Sequence, residues 1–405
     1  MSIRMNRAAV AALMASGLAA TAMGQCIQGD VNGDGIVNGI DLSYVLTNWG
    51  QICPAVIESI SPSFGLPAGG TTITITGSQL GGVQSVTIGG VPATNVVSVN
   101  STTITAVTPP SKSLGPKDVV VTTTAGSATL TDGFFYTQIE WGTVLEVLPD
   151  PEVVTDPEWR ERIIATGLPW RVQDNGSGIE MLLIPSGIFS MGCSASIQYG
   201  CNIDENPIHE VMLTQAFYLG RYEVTQAQWT ALMGSNPSFF KSASAEVPAS
   251  QVPSRPVDTV SWNMIQGFET ATGLRLPTEA EWEYACRAGA TTAFNNGSDD
   301  DTTLATLAWS NANSANQTHP VGQKQANNLG LHDMHGNVWE WVEDWYGSYE
   351  ASPAVDPSGP ISGTDRALRG GSWFINSYFC RTSSRYDIDP QDVFSINGFR
   401  AARTP

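Results

Sequence analysis

The chain has 405 residues, with 19 Lys+Arg against 38 Asp+Glu and a formal net charge of -19. The length excludes one ordinary core, and the charge excludes nucleic acid or an anionic membrane surface as partner. Charged residues make up only 14%, the deficit being filled by Gly, Ser, Thr and Asn, as in exported proteins rich in strands and loops.

Arg4 and Arg7 precede an apolar run from Ala8 to Ala22, and Ala22-Met23-Gly24 has the small-x-small pattern of a signal-peptidase site. Residues 1–24 are therefore expected to be a cleaved signal peptide, making the protein secreted, cell-surface or periplasmic. The apolar run is shorter than the roughly 20 residues that span a bilayer, and no later segment is apolar enough, so no membrane span is expected. Gln25 before Cys26 argues against a lipoprotein. All six cysteines follow the leader, and an even count in an oxidising compartment invites disulfides. Spacing pairs Cys26 with Cys53 and Cys193 with Cys201, leaving Cys286 and Cys380.

In residues 25–54, Asp30, Asn32, Asp34, Asn38 and Asp41 place oxygen side chains at loop positions 1, 3, 5, 9 and 12, Gly35 stands at the turn position 6, and Ile36 offers its carbonyl. The pattern resembles one half of a type I dockerin, which implies calcium and a cohesin-like partner. True dockerins carry two such repeats and this chain shows one, so a calcium-stiffened module clamped by Cys26 and Cys53 is the plainer reading.

From 55 to 137, runs such as Thr71-Thr72-Ile73-Thr74-Ile75-Thr76 and Val119-Val120-Val121 alternate between turn signals, which predicts a small β-sandwich. Ile60-Ser61-Pro62-Ser63-Phe64-Gly65, with Gly69, Gly70, Gly77 and Leu80, resembles the immunoglobulin-like IPT/TIG domain. Residues 138–178 are Pro- and acid-rich at first and predict a linker whose end packs on the last domain, with a capped helix start at Asp156-Pro157.

Residues 179–405 hold the predicted helices. Thr225 with Gln228 and Thr278 with Glu281 are capping boxes, Gly273 and Gly289 are expected to stop two helices, and Trp282, Ala285 and Cys286 share one helical face. Four blocks stand in order: Leu276-Pro277-Thr278-Glu279-Ala280-Glu281-Trp282-Glu283-Tyr284, Gly330-Leu331-His332-Asp333-Met334-His335-Gly336-Asn337-Val338-Trp339-Glu340-Trp341, Arg369-Gly370-Gly371-Ser372-Trp373 and Asn397-Gly398-Phe399-Arg400. Together they resemble the formylglycine-generating enzyme, or sulfatase-modifying factor, family. The fold class so implied is multidomain: a dockerin-like EF-hand loop, an immunoglobulin-like β-sandwich, and an α+β C-type-lectin-like domain with little regular secondary structure and little sheet.

That family oxidises a sulfatase cysteine to formylglycine with oxygen and Cu(I) held between two cysteines. The resemblance puts those cysteines at Ile375 and Cys380, so one thiolate ligand is missing and copper is not expected. Ser372 and Trp339 match positions lining the oxygen pocket, and with Cys380 they are the catalytic candidates, although Ser and Trp also build the fold. Oxidase members pair the cysteine matching Cys286 with one that would fall at Arg385. Here Cys286 either bonds Cys380 or both stay free buried thiols. The resemblance also gives a structural calcium ion side-chain oxygens from Asp333 and Glu340 and carbonyls from Gly336 and Val338. His332 and His335 lack a third ligand at zinc spacing and are expected at the surface or in packing.

The implied function is a secreted, modular, calcium-binding protein whose last domain recognises a protein, peptide or glycan through a cleft near Trp339, Ser372 and Arg400, without copper oxidase activity. The alternatives are a divergent formylglycine-generating oxidase, and an accessory part of an extracellular polysaccharide-degrading complex.

Overall fold

The computed structural model describes residues 54–137, 139–193, 200–245 and 247–405. The expected signal peptide, the calcium loop at 30–41 and the Cys26 and Cys53 pair lie outside the described residues. The chain forms two compact units, the first ending at Lys112 and resuming over Pro116–Phe135, the second made of Ser113–Gly115 and Tyr136–Pro405.

In the first unit, Ile73 and Ile75 point inward along Thr72–Ser78 while the residues between them stay partly exposed, the period of a half-buried strand. Ile75 lies opposite Ile104 and Ile73 opposite Ala106; in the other sheet Val86 pairs with Val121 and Ile88 with Val119. All are buried, as is Phe134. One sheet orders its strands Val56–Ser61, Thr72–Ser78, Thr103–Val107, Thr94–Asn100, and the other centres on Gly115–Thr123 between Gly126–Tyr136 and Val83–Ile88. This is the predicted immunoglobulin-like sandwich.

Among the described residues the second unit has three sheets of five, three and four strands, more sheet than expected. The strands are short, and Trp339–Trp345 with seven residues is the longest, so long-range packing and not local pattern selects them. The stretch expected as a linker is part of this unit. Gly142–Glu146 and Arg171–Asp174 pair with each other and extend the sheet of Glu180–Ile184. Between them runs helix α1 (Pro157–Ala165), capped by the Asp156 side chain, with Trp159 and Ile163 buried. The Pro- and acid-rich composition of 148–158 hid these apolar anchors.

Helices α2 (Gln226–Met233), α3 (Trp262–Thr272) and α4 (Glu279–Arg287) follow. Both capping boxes form, and Gly273 ends α3 in the left-handed region. At the end of α4 it is Ala288 that takes the left-handed cap, with Gly289 one residue later at φ 90°. The indole of α2's Trp229 stacks on α3's Phe268, and both meet Phe399 edge-on. The expected Cys193–Cys201 disulfide is present, with Cα atoms 5.8 Å apart. Among the described residues no helix is long and apolar enough to cross a membrane.

Candidate functional site

Cys380 ends the short turn Ser377–Cys380, which Asn376 caps through the Tyr378 N–H. Its sulfur is buried in a cluster with Ala293, Phe294, Leu304, Leu307 and Ala308, against which Ile375 packs. Gly371 sits at φ 82°, and a Cβ there would fall 2.7 Å from the Cys380 sulfur; only glycine lets this turn run so close. Burial pushes the Cys380 thiol up to about 12, against a backbone N–H from Ser372 that favours the thiolate. At neutral pH the group is a thiol.

Cys286 and Cys380 are not joined; both are free and buried. The His335 ring stands between the Cys286 sulfur, 4.0 Å from Nε2, and the Cys380 carbonyl, to which Nδ1–H donates at 2.7 Å. The carbonyl can only accept, which fixes the proton on Nδ1 and leaves Nε2 to accept from the Asn295 N–H at 3.2 Å. Burial lowers the His335 pKa to about 4, so the ring is a neutral spacer. The Cys286 thiol is pushed far up by burial and lies 3.6 Å from the Met334 carbonyl. His332 donates through Nδ1 to the Lys324 carbonyl at 2.8 Å and packs on Tyr222.

Ser372, Trp339 and Arg400 lie within the packed interior. All three are buried. Arg400 is held by Glu340 through Nε at 3.0 Å and Nη2 at 2.8 Å, and Trp339 stacks on Tyr386. Two clefts, of about 640 and 480 Å³, are lined by other residues. What does reach solvent beside Ile375 is an aromatic ledge: Phe239, Phe240, Trp373 and Phe374 touch in sequence at 5.1 to 5.3 Å, with Phe239 71% and Phe374 58% exposed.

The Asp333 to Glu340 turn carries the metal candidates. Asp333 Oδ2 accepts from the Gly322 N–H at 2.7 Å, while its buried Oδ1 has no hydrogen-bond partner. Glu340 is occupied, by Arg400 and by the Trp282 indole N–H at 2.7 Å. Glu223, absent from the sequence reading, accepts from Asn337 Nδ2 at 2.7 Å and the Val338 N–H at 3.1 Å. Its partners lie 114 and 115 residues away, so no local motif could have marked it. Burial, then the neighbouring carboxylates, push Glu223 well above its ordinary range, and burial raises Asp333 to about 6. Three buried carboxyl groups thus face one guanidinium. Hard oxygens with this excess of negative charge suit a calcium ion, with Asp333 Oδ1 the unused donor. A second grouping, Cys193, Cys201 and Glu205, suits no metal: both sulfurs are in the disulfide and Arg381 grips Glu205 at 2.5 and 2.7 Å.

The model of the sulfatase-modifying factor enzyme 1-like domain matches residues 169–405, and that of the IPT/TIG domain matches 55–137. The chain belongs to the sulfatase-modifying factor family. The formylglycine-generating enzyme of Streptomyces coelicolor is 30% identical over 276 residues, covering 54% of this chain and 87% of that protein. The enzyme of Bos taurus is 30% identical, covering 55% and 74%. The serine/threonine-protein kinase pkn1 of Chlamydia caviae is 34% identical over 245 residues, but the chain spans only 38% of its length. Among solved structures, Treponema denticola variable protein 1 superposes with a TM-score of 0.51 at 30% identity, over 56% of this chain and 95% of that one. The matched domain and this superposition agree on the scaffold of residues 169–405.

Proposed function

We propose that the sulfatase-modifying-factor domain is an extracellular recognition domain, binding a protein, peptide or glycan and not oxidising cysteine with copper. The observation that carries this reading is the burial of Cys380 in an apolar cluster against which Ile375 packs. Cu(I) seeks soft thiolates, and this position offers one thiol that burial keeps protonated up to about 12. The residues do not fit copper. The solvent-facing ledge of Phe239 and Phe374 supports recognition, since exposed aromatic groups mark interaction surfaces.

Calcium belongs to the same reading. Asp333 would supply Oδ1, Gly336 and Val338 carbonyls, and Glu340 a carboxylate shared with Arg400; a bound ion would neutralise the surplus charge and stiffen the turn. The loop at 30–41, exported by the leader of residues 1–24, would hold a second ion and is the part a cohesin-like partner would engage. In that setting the protein would serve an extracellular polysaccharide-degrading assembly as an accessory.

The deciding experiment supplies the mature chain with Cu(I), oxygen, a reductant and a peptide carrying Cys-x-Pro-x-Arg, and follows thiol-to-aldehyde conversion by mass spectrometry. No conversion is expected from the wild type. Turnover would overturn the reading in favour of a divergent oxidase. Ile375→Cys, run beside it, should gain measurable conversion if the remaining family residues still form a working site.

A further inference from the structure

The cleft of about 480 Å³ lies between the strand His209–Leu213, the start of α4 and the loop 345–360. Its floor is built from buried His209, Glu279, Asp344 and Arg385. Two of these are saturated by each other. Arg385 donates to both Glu279 oxygens, at 2.6 and 2.8 Å, and to the carbonyls of Asp204 and Gly347. Glu279 also takes Arg369 at 3.0 Å and the Tyr349 hydroxyl at 3.2 Å.

The other two keep unused acceptors. Asp344, 3% exposed and lining the cleft, accepts from the Glu279 N–H through Oδ2 at 2.8 Å, and among the described residues no hydrogen bond reaches Oδ1. His209 donates through Nδ1 to the Pro207 carbonyl at 3.1 Å, which makes Nε2 the lone-pair nitrogen. Gly359, at φ 72°, keeps the space beside Asp344 Oδ1 open; a Cβ there would stand 3.1 Å from that oxygen. Glu350 lines the same cleft, and among the described residues neither it nor Asp344 has a salt-bridge partner, whereas Arg385 is already bound. A ligand must therefore bring hydrogen-bond donors and positive charge.

We propose that this cleft binds a primary ammonium group on a short alkyl chain, with Asp344 Oδ1 as its anchor, Glu350 as its charge partner at the rim and His209 Nε2 as a further acceptor. Burial and the nearby Glu279 hold the Asp344 carboxyl well above its ordinary range, as expected of an acid lacking its countercation. The site shares none of its lining with Cys380 or the Asp333 turn, so it stands or falls apart from the oxidation assay.

The ammonium could belong to a free amine or to a lysine side chain. Calorimetric titration of the full chain with putrescine and with Nα-acetyl-lysine methylamide separates the two sources, and xylitol serves as the uncharged, donor-rich comparator. Saturable binding of at least one amine is expected, with none for xylitol, and the His209 imidazole resonances of the wild type should shift on titration. Asp344→Asn keeps an acceptor for the Glu279 N–H but removes the charge, and should weaken binding by about tenfold or more while the melting temperature holds. Absence of amine binding, equal affinity for xylitol, unmoved His209 resonances, or wild-type affinity in Asp344→Asn would each overturn the proposal. Should that variant fail to fold, the wild-type titrations and the His209 shift decide alone.

Discussion

Asp258 shows how much one buried side chain can organise. Its carboxylate accepts from the Phe239 N–H at 2.6 Å, the Phe240 N–H at 3.4 Å and the Thr259 hydroxyl at 2.7 Å, tying the aromatic ledge to the core. Burial outweighs these bonds and raises its pKa from 3.8 to about 6. The folded state thus binds this proton more tightly than the unfolded chain. The contribution is full below about pH 4 and is lost as pH rises through 6, amounting to about 3 kcal/mol. Asp258→Asn should flatten that part of the pH dependence. Urea midpoints of both proteins between pH 4 and 7 test it, and parallel profiles would refute the assignment. Ile375 is the other residue of consequence, because its aliphatic side chain packs against the apolar cluster that buries Cys380.

At the scale of elements, helix α4 is buried on nearly every side. One face carries Trp282, Ala285 and Cys286, as the spacing predicts. The other carries Glu279, Glu283 and Arg287, which with Arg369 and Arg385 form a continuous buried ion chain. Burial alone would raise Glu279, but Arg385 and Arg369 outweigh it and hold it at about 2. Arg385 stands where the family resemblance places the cysteine partner of Cys286, so an ion pair ties strand Arg385–Ile388 to α4 in place of a disulfide. Arg369→Met would leave Glu283 and Glu279 short of a cation without water to replace it. Such losses cost about 3–5 kcal/mol, readable as a lower midpoint in chemical denaturation. A change under about 1 kcal/mol would show that the chain is not structurally required.

For the whole molecule, calcium is the test that reaches both proposed ion sites at once. A chelator should lower the melting temperature of the full chain and added calcium should restore it, because an ion bound only by the folded state stabilises by mass action. Asp333→Ala should remove the part of that shift due to the second unit. No response to the chelator would count against both the loop at 30–41 and the Asp333 turn.

Local pattern alone determined the sandwich, because its strands alternate apolar and polar residues and a period of two is written in neighbouring residues. It also determined the two capping boxes, the Gly273 cap and the Cys193–Cys201 pairing, each visible within about ten residues. Tertiary structure decided the rest. The expected linker became strands and a helix because Trp159, Ile163 and Val172 found a core contributed from elsewhere. Cys286 and Cys380 stayed free thiols, with His335 set between the Cys286 sulfur and the Cys380 carbonyl. Arg400 turned inward to Glu340, 60 residues away. Glu223, His209 and Asp344 gained their chemical character from partners, burial and a cavity supplied by distant segments, and the electrostatics of a buried group depends on what surrounds it in space.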